Sequence, residues 1–214
     1  YRINRSDYTI DSVYEVGSVP KVVEVTPDNK YVLAANWCSY TVSVISVEKN
    51  KVVKTIKIGR YPRGIAISND STKAYVAEMG GNRIHVINLQ DFSTSYIPIG
   101  SNPRAIVLSP DNTRMYVTMN LSGKVASWDL VNNKPGKSVK TGKSARSLAI
   151  SSDGTALFVV NFVSDTLSKV RTSDMKVLQN IKVCNEPIGI TYDSPTSRTW
   201  VACYGGAIKI FDNK

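Results

Sequence analysis

One stretch of this chain is written several times over. Residues 17–47 read GSVPKVVEVTPDNKYVLAANWCSYTVSVISV, residues 59–89 read GRYPRGIAISNDSTKAYVAEMGGNRIHVINL, and residues 100–130 read GSNPRAIVLSPDNTRMYVTMNLSGKVASWDL. With the opening glycine as a ruler, Gly17, Gly59, Gly100 and Gly142 are followed by Cys184, at intervals of 42, 41, 42 and 42 residues. Three residues on stand Pro20, Pro62, Pro103, Ala145 and Pro187; eight beyond those stand Asp28, Asp70, Asp111, Asp153 and Pro195. A constant period with agreement throughout the unit marks a repeat architecture, in which each copy buries its faces only against its neighbours.

Each unit reads as four short strands. RGIAIS and RAIVLS alternate small and branched apolar residues, as a strand buried between neighbours does. TPDNK, SPDNT and SSDGT then supply the proline, aspartate, asparagine and glycine of a tight reversal. The second strand is LAAN, YVAE, YVTM, FVVN or WVAC, rich in aromatic and β-branched side chains. The third is TVSVIS, RIHVIN, KVASWD, TLSKV or AIKIF, and the fourth is KVVKTIKI or KVLQNIKV, whose interleaved lysines suit an exposed edge. Four antiparallel strands per repeat of this length, with no helical periodicity, predict an all-β fold: a β-propeller with about five blades in this chain. A WD40 pattern fits poorly, since SWD occurs once, at Ser127–Asp129, and no glycine precedes His85 to form a Gly-His pair.

The 214 residues suit a single domain, residues 1–214, with repeats starting at 17, 59, 100, 142 and 184. Residues 1–16 match the second half of a unit, and the chain stops after a third strand, so the ends are out of phase. Either the segment DSVYEV clasps the last unit into a five-bladed ring, or further blades lie upstream and the ring has seven. The second is favoured, because residues 1–4 read as a third strand that the clasp would leave without a place. No apolar run approaches the roughly 20 residues of a membrane-spanning helix. The first residue is Tyr1 rather than Met, which reads as a processed or excised segment, so an export signal could have stood upstream.

The sequence resembles the YVTN β-propellers of bacterial and archaeal cell surfaces and periplasms. The resemblance rests on YVTM at Tyr116–Met119, on its counterparts in the other copies, and on the recurring G-x-x-P…S-P-D-(N/G) frame. It covers nearly the whole chain and implies a seven-bladed ring of the cell envelope that binds or scaffolds, with no shared catalytic residues to carry over. Glu78 and Cys203 depart from that family's asparagine, and Ala145 from its proline.

Chemistry is sparse. A Ser-His-carboxylate triad could be built only through His85, which sits inside a third strand where other copies have Ser43, Ala126, Ser168 and Lys209, a position that points to a structural or surface role. No zincin, P-loop, dinucleotide or haem-attachment motif appears, so no cofactor and no metal are expected, and the recurring aspartates are explained by turn geometry. Cys38, Cys184 and Cys203 are too few for a disulfide scaffold and lack metal-site spacing. All three are expected on one face. A Cys184–Cys203 bridge is possible in neighbouring strands of one blade, but the register argues against it, placing them about five residues out of opposition.

The suggestive pattern follows the proline position: Lys21, Arg63, Arg104, Arg146 and then Ile188. First strands are innermost, so this register rings the mouth of the central channel with cations, and convergent charge in a partly enclosed site attracts anions. Loops of the same face carry Trp37, Tyr40, Tyr61, Phe162 and Tyr204, whose rings beside guanidinium groups suit sugars, nucleobases or peptide side chains. Trp128 and Trp200 are assigned to the core. With 27 Lys and Arg against 17 Asp and Glu, the net charge of +10 favours anionic partners. The expectation is a non-catalytic envelope propeller binding a protein or an anionic polymer, glycan or nucleic acid, through this face. The alternatives are a lactonase-like or hydrolytic propeller enzyme, which needs carboxylates or metal ligands at the mouth, and a nucleic-acid-binding propeller.

Overall fold

The structure is a computed structural model and describes residues 1–213. A short ribbon comes first, β1 (Arg2–Ile3) paired with β2 (Ile10–Ser12). The first blade is β3 (Pro20–Val25), β4 (Tyr31–Asn36), β5 (Thr41–Ser46) and β6 (Lys51–Lys57). The second is β7 (Pro62–Ile67), β8 (Lys73–Glu78), β9 (Arg83–Asn88) and β10 (Thr94–Pro98). The third is β11 (Pro103–Leu108), β12 (Arg114–Met119), β13 (Lys124–Asp129) and β14 (Lys134–Lys140). The fourth is β15 (Ala145–Ile150), β16 (Ala156–Asn161), β17 (Thr166–Arg171) and β18 (Lys176–Lys182). The fifth has three strands, β19 (Pro187–Asp193), β20 (Arg198–Cys203) and β21 (Ile208–Asp212). All pairings are antiparallel, and the ribbon β1–β2 stands apart from β21, so the five-bladed clasp is not formed.

Side-chain alternation turns these sheets into a propeller. In β8, Ala74 and Val76 enter a core shared with the first blade, while Tyr75 and Ala77 enter a core shared with the third. Two further cores fill the next seams, one around Tyr116, Leu148 and Leu157, the other around Phe158, Leu167 and Val201. Four seams join five blades, each first strand contacting the next. At the two flanks this logic lacks a neighbour. Trp128 is core, but Trp200 is 36% exposed, beside the exposed Ile208 and Ile210. The core assignment of Trp200 therefore fails, because its side of the fifth blade faces no further sheet. On the first blade, Val23 and Val25 are likewise exposed.

At the end of each blade away from the ruler residues, the aspartates do what turn chemistry asks. Thr26, Ser68, Ser109 and Ser151 donate hydroxyl hydrogen bonds of 2.5–2.6 Å to Asp28, Asp70, Asp111 and Asp153. Backbone N–H groups two residues on complete each carboxylate's shell, as from Thr113 to Asp111 at 3.0 Å. These bonds, the hydroxyl first, hold all four carboxyls below the usual aspartate value of 3.8.

At the other end, the ruler residue touches the last residue of the second strand. A Cβ on Gly17 would lie 2.8 Å from that of Asn36, and one on Gly142 2.8 Å from that of Asn161. In the fifth blade the same two positions are Cys184 and Cys203, which form a disulfide with Cα atoms 6.2 Å apart. The register argument against this bridge is corrected. Pairing begins at Pro187 opposite Cys203, and before it the chain folds back through Glu186, at φ 52°, instead of running straight on. Cys38 is free and exposed.

Candidate functional site

Each first strand starts in the same unusual way. Val19, Tyr61, Asn102, Ser144 and Glu186, immediately before the proline position, all hold left-handed φ angles of 52–60°. For a β-branched residue such as Val19 this is strained, and such strain tends to collect at functional sites. Directly after the proline position the pairing slips, between Pro20 and Val22, Pro62 and Ile65, Pro103 and Ile106, Ala145 and Ser147, and Pro187 and Gly189. Each slip spans the position of Lys21, Arg63, Arg104, Arg146 or Ile188. A bulge there re-aims one side chain out of the alternation.

Three of the four predicted cations come together. Arg104 is only 7% exposed, and burial first, then the charges of Arg146 and Arg63, push its pKa down to about 9. Arg63 is lowered by burial and by Arg146. Arg146 is lowered by burial, against the opposing charges of Glu186 and Tyr204. Among the described residues, none of the three has a carboxylate within ion-pair distance. The hydrogen bond Arg104 makes with another side chain is from Nη1 to the sulfur of Met79, at 3.3 Å, a weak acceptor for a buried cation. Lys21 does not join them. It is exposed on β3, which meets β7 but has no first strand on its other side.

Buried polar groups fix the bulges behind these arginines. Thr118, fully buried, accepts from the Ala105 N–H at 3.0 Å and donates to the Arg146 carbonyl at 3.1 Å, tying two bulged segments together. Asn120 Nδ2 reaches the Ala145 carbonyl at 3.2 Å. Gly64 lets two inner strands meet, since a Cβ there would lie 2.6 Å from the Arg104 carbonyl oxygen.

The predicted aromatics lie beside the cations, in a specific role. Arg63 sits over Trp37, 5.4 Å from the ring centroid, and Arg146 over Phe162 at 4.3 Å. Trp37 also stacks on Tyr61 at 4.9 Å, and Tyr40 meets Tyr61 edge-on at 5.4 Å. Arg60 lies over the Tyr61 ring, 5.6 Å from its centroid, and lowers the Tyr61 pKa, while Tyr61 raises that of Tyr40. These rings hold guanidinium groups in place more than they offer open stacking faces. Tyr204 is different, at 69% exposed.

Sequence reading missed the bulges, Met79, the ties through Thr118, and two apolar loop residues at equivalent positions, Leu121 and Val163, which are 77% and 56% exposed. The repeat alignment held a signal for the last pair, because both stand two residues after the second strand. His85 lies elsewhere, in a clamp inside the second blade. Its Nε2 is 3.0 Å from Glu78 Oε2, which also pairs with Arg83 at 3.2 Å. In the first and fourth blades Asn36 and Asn161 make the corresponding contacts to Thr41 and Ser43, and to Thr166 and Ser168. Among the described residues no group of three or more His, Cys, Asp and Glu side chains could hold a metal ion, and no helix is long and apolar enough to cross a membrane.

Comparison with known proteins agrees with this architecture. Over 152 residues, 67% of this chain, the sequence is 31% identical to antigen Lp49 of Leptospira interrogans, and the match spans 33% of that protein. Hydrazine synthase of Kuenenia stuttgartiensis superposes with a TM-score of 0.82 at 19% identity, over 96% of this chain and 67% of that one. A candidate 6-phosphogluconolactonase of Bacteroides uniformis does so with a TM-score of 0.80 at 16% identity, over 92% and 67%. At such identities the two structures share the fold alone. The model of the family described as Lactonase, 7-bladed beta-propeller, matches residues 1–140. This chain, with its five radial blades, belongs to that family of seven-bladed β-propellers.

Proposed function

We propose that this chain is a non-catalytic binding propeller of the YVTN type, working in the cell envelope and taking a protein or an anionic polymer at the channel mouth. The observation that carries the reading is the convergence of Arg63, Arg104 and Arg146 without a carboxylate partner. Gathering like charges in a half-buried place costs free energy that the aromatic faces under Arg63 and Arg146 and the charge of Glu186 offset only in part, and an incoming anion relieves it. The Cys184–Cys203 bridge supports an oxidising compartment. A pull-down from envelope extract with wild type and with Arg63→Glu/Arg104→Glu/Arg146→Glu tests the reading. Captured partners should vanish with the triple variant, and undiminished capture would count against this face.

A second reading is a lactone-hydrolysing enzyme, favoured by the family's name and by the Bacteroides uniformis neighbour. It requires an acid or base in the mouth, where the cations outnumber the carboxylate of Glu186, whose charge opposes that of Arg146, whereas the Glu78–His85 pair is engaged inside a blade. Proton release from aldonolactones in a pH-stat, faster with protein than their spontaneous hydrolysis and in proportion to protein added, would establish that reading instead.

A further inference from the structure

We infer that the occupant of the mouth is an acidic, apolar-flanked peptide segment of a partner protein, whose carboxylate side chain inserts against Arg104. This rests on the channel-mouth reading above and narrows it.

Three observations select a peptide over a polymer. First, Arg104 is recessed, at 7% exposed, between Arg63 and Arg146. A diester or glycan backbone lies along a surface, but a Glu or Asp side chain projects, and its planar carboxylate matches the guanidinium fork. Second, Trp37, Tyr61 and Phe162, three of the rings that would stack on bases or sugars, are already engaged, which leaves Tyr204 and the partly exposed Tyr40. Trp37 lies against Tyr61 and carries Arg63, and Phe162 carries Arg146. Single-strand binding draws much of its affinity from open stacking faces. Third, the rim includes exposed apolar and aromatic side chains, Leu121, Val163, Val19 and Tyr204, interleaved with the cation Arg60. An arginine anchor inside a ring of apolar and tyrosine contacts has the make-up of a protein interface, in which desolvation by the rim strengthens the central ion pair.

The test pans a random peptide library on the immobilised chain and measures enriched synthetic peptides by fluorescence anisotropy. Enriched sequences should pair Asp or Glu with neighbouring Leu, Phe or Val, and Asn or Gln analogues should not bind. Arg104→Met should weaken binding by roughly thirtyfold or more, and the Leu121→Ser/Val163→Ser variant by about tenfold. Melting of each variant is recorded alongside, and Arg63→Gln/Arg146→Gln replaces Arg104→Met if the latter does not fold. Failure to enrich any peptide overturns the inference. So does heparin or oligothymidylate binding more tightly than the best peptide and indifferently to Leu121 and Val163. Carboxylate-free peptides whose binding still depends on the arginines overturn the inference but leave the channel-mouth reading standing. Peptides indifferent to the arginines remove both.

Discussion

The two ends of the same blades treat charge in opposite ways. At one end Asp28, Asp70, Asp111 and Asp153 each accept a hydroxyl and at least one N–H from their own turn. At the other, Arg63, Arg104 and Arg146 face one another with a thioether and aromatic faces as company. A charge satisfied by its own repeat serves the fold. A charge left unsatisfied at a bulge, under backbone strain, is available to something outside the chain.

The comparison can be broken by experiment. The largest effect belongs to the mouth's scaffold: Cys184→Ser, or reduction of the bridge, should lower the unfolding free energy by about 3 kcal/mol, as loss of a cross-link closing a loop of this size does. Urea denaturation with and without reductant measures it. Thr118→Val removes a buried hydroxyl that serves two bulges and should cost about 2 kcal/mol by the same assay. Peptide affinity should fall with it, because the arginines lose their aim. At the turn end, Asp111→Ala should lower Tm by roughly 3 °C in calorimetry while leaving binding at the mouth unchanged. Arg104→Met should have the smallest effect on stability, neutral or slightly stabilising, since it removes a buried cation without a counter-charge. A marked loss of stability there would mean that the arginine serves the fold, and the contrast between the two ends would collapse.

Acid sharpens the same contrast. The four turn aspartates have folded pKa values below 3.8, so their contribution is present above that value and lost as pH falls through the depressed folded values. Stability measured from pH 5 downward should therefore drop, and the slope should shrink in the Asp111→Ala variant.

Much of this was legible in the repeat. Period, strand order and turn chemistry are local properties, and the positions of Pro62, Asp70 and Tyr75 in one copy predict their counterparts in the next. The cationic register was legible too, because position in an innermost strand follows from the repeat. Lys21 and Trp200 were misjudged for one shared reason: a repeat describes a residue with neighbours on both sides, and these two stand at flanks where one neighbour is lacking. The bridge was misjudged differently. Strand register alone separated Cys184 from Cys203, although the pairs Gly17–Asn36 and Gly142–Asn161 occupy the same two positions and touch.

By itself the sequence determined the blade, its turns and the sign of the charge at the mouth, since alternation and turn residues act over a few neighbours in the chain. Only tertiary structure decided which charges meet. The left-handed residue and the bulge aim each arginine, the grip of Thr118 adds to this for Arg104 and Arg146, and the distances between groups some 40 residues apart exist only once the blades are stacked.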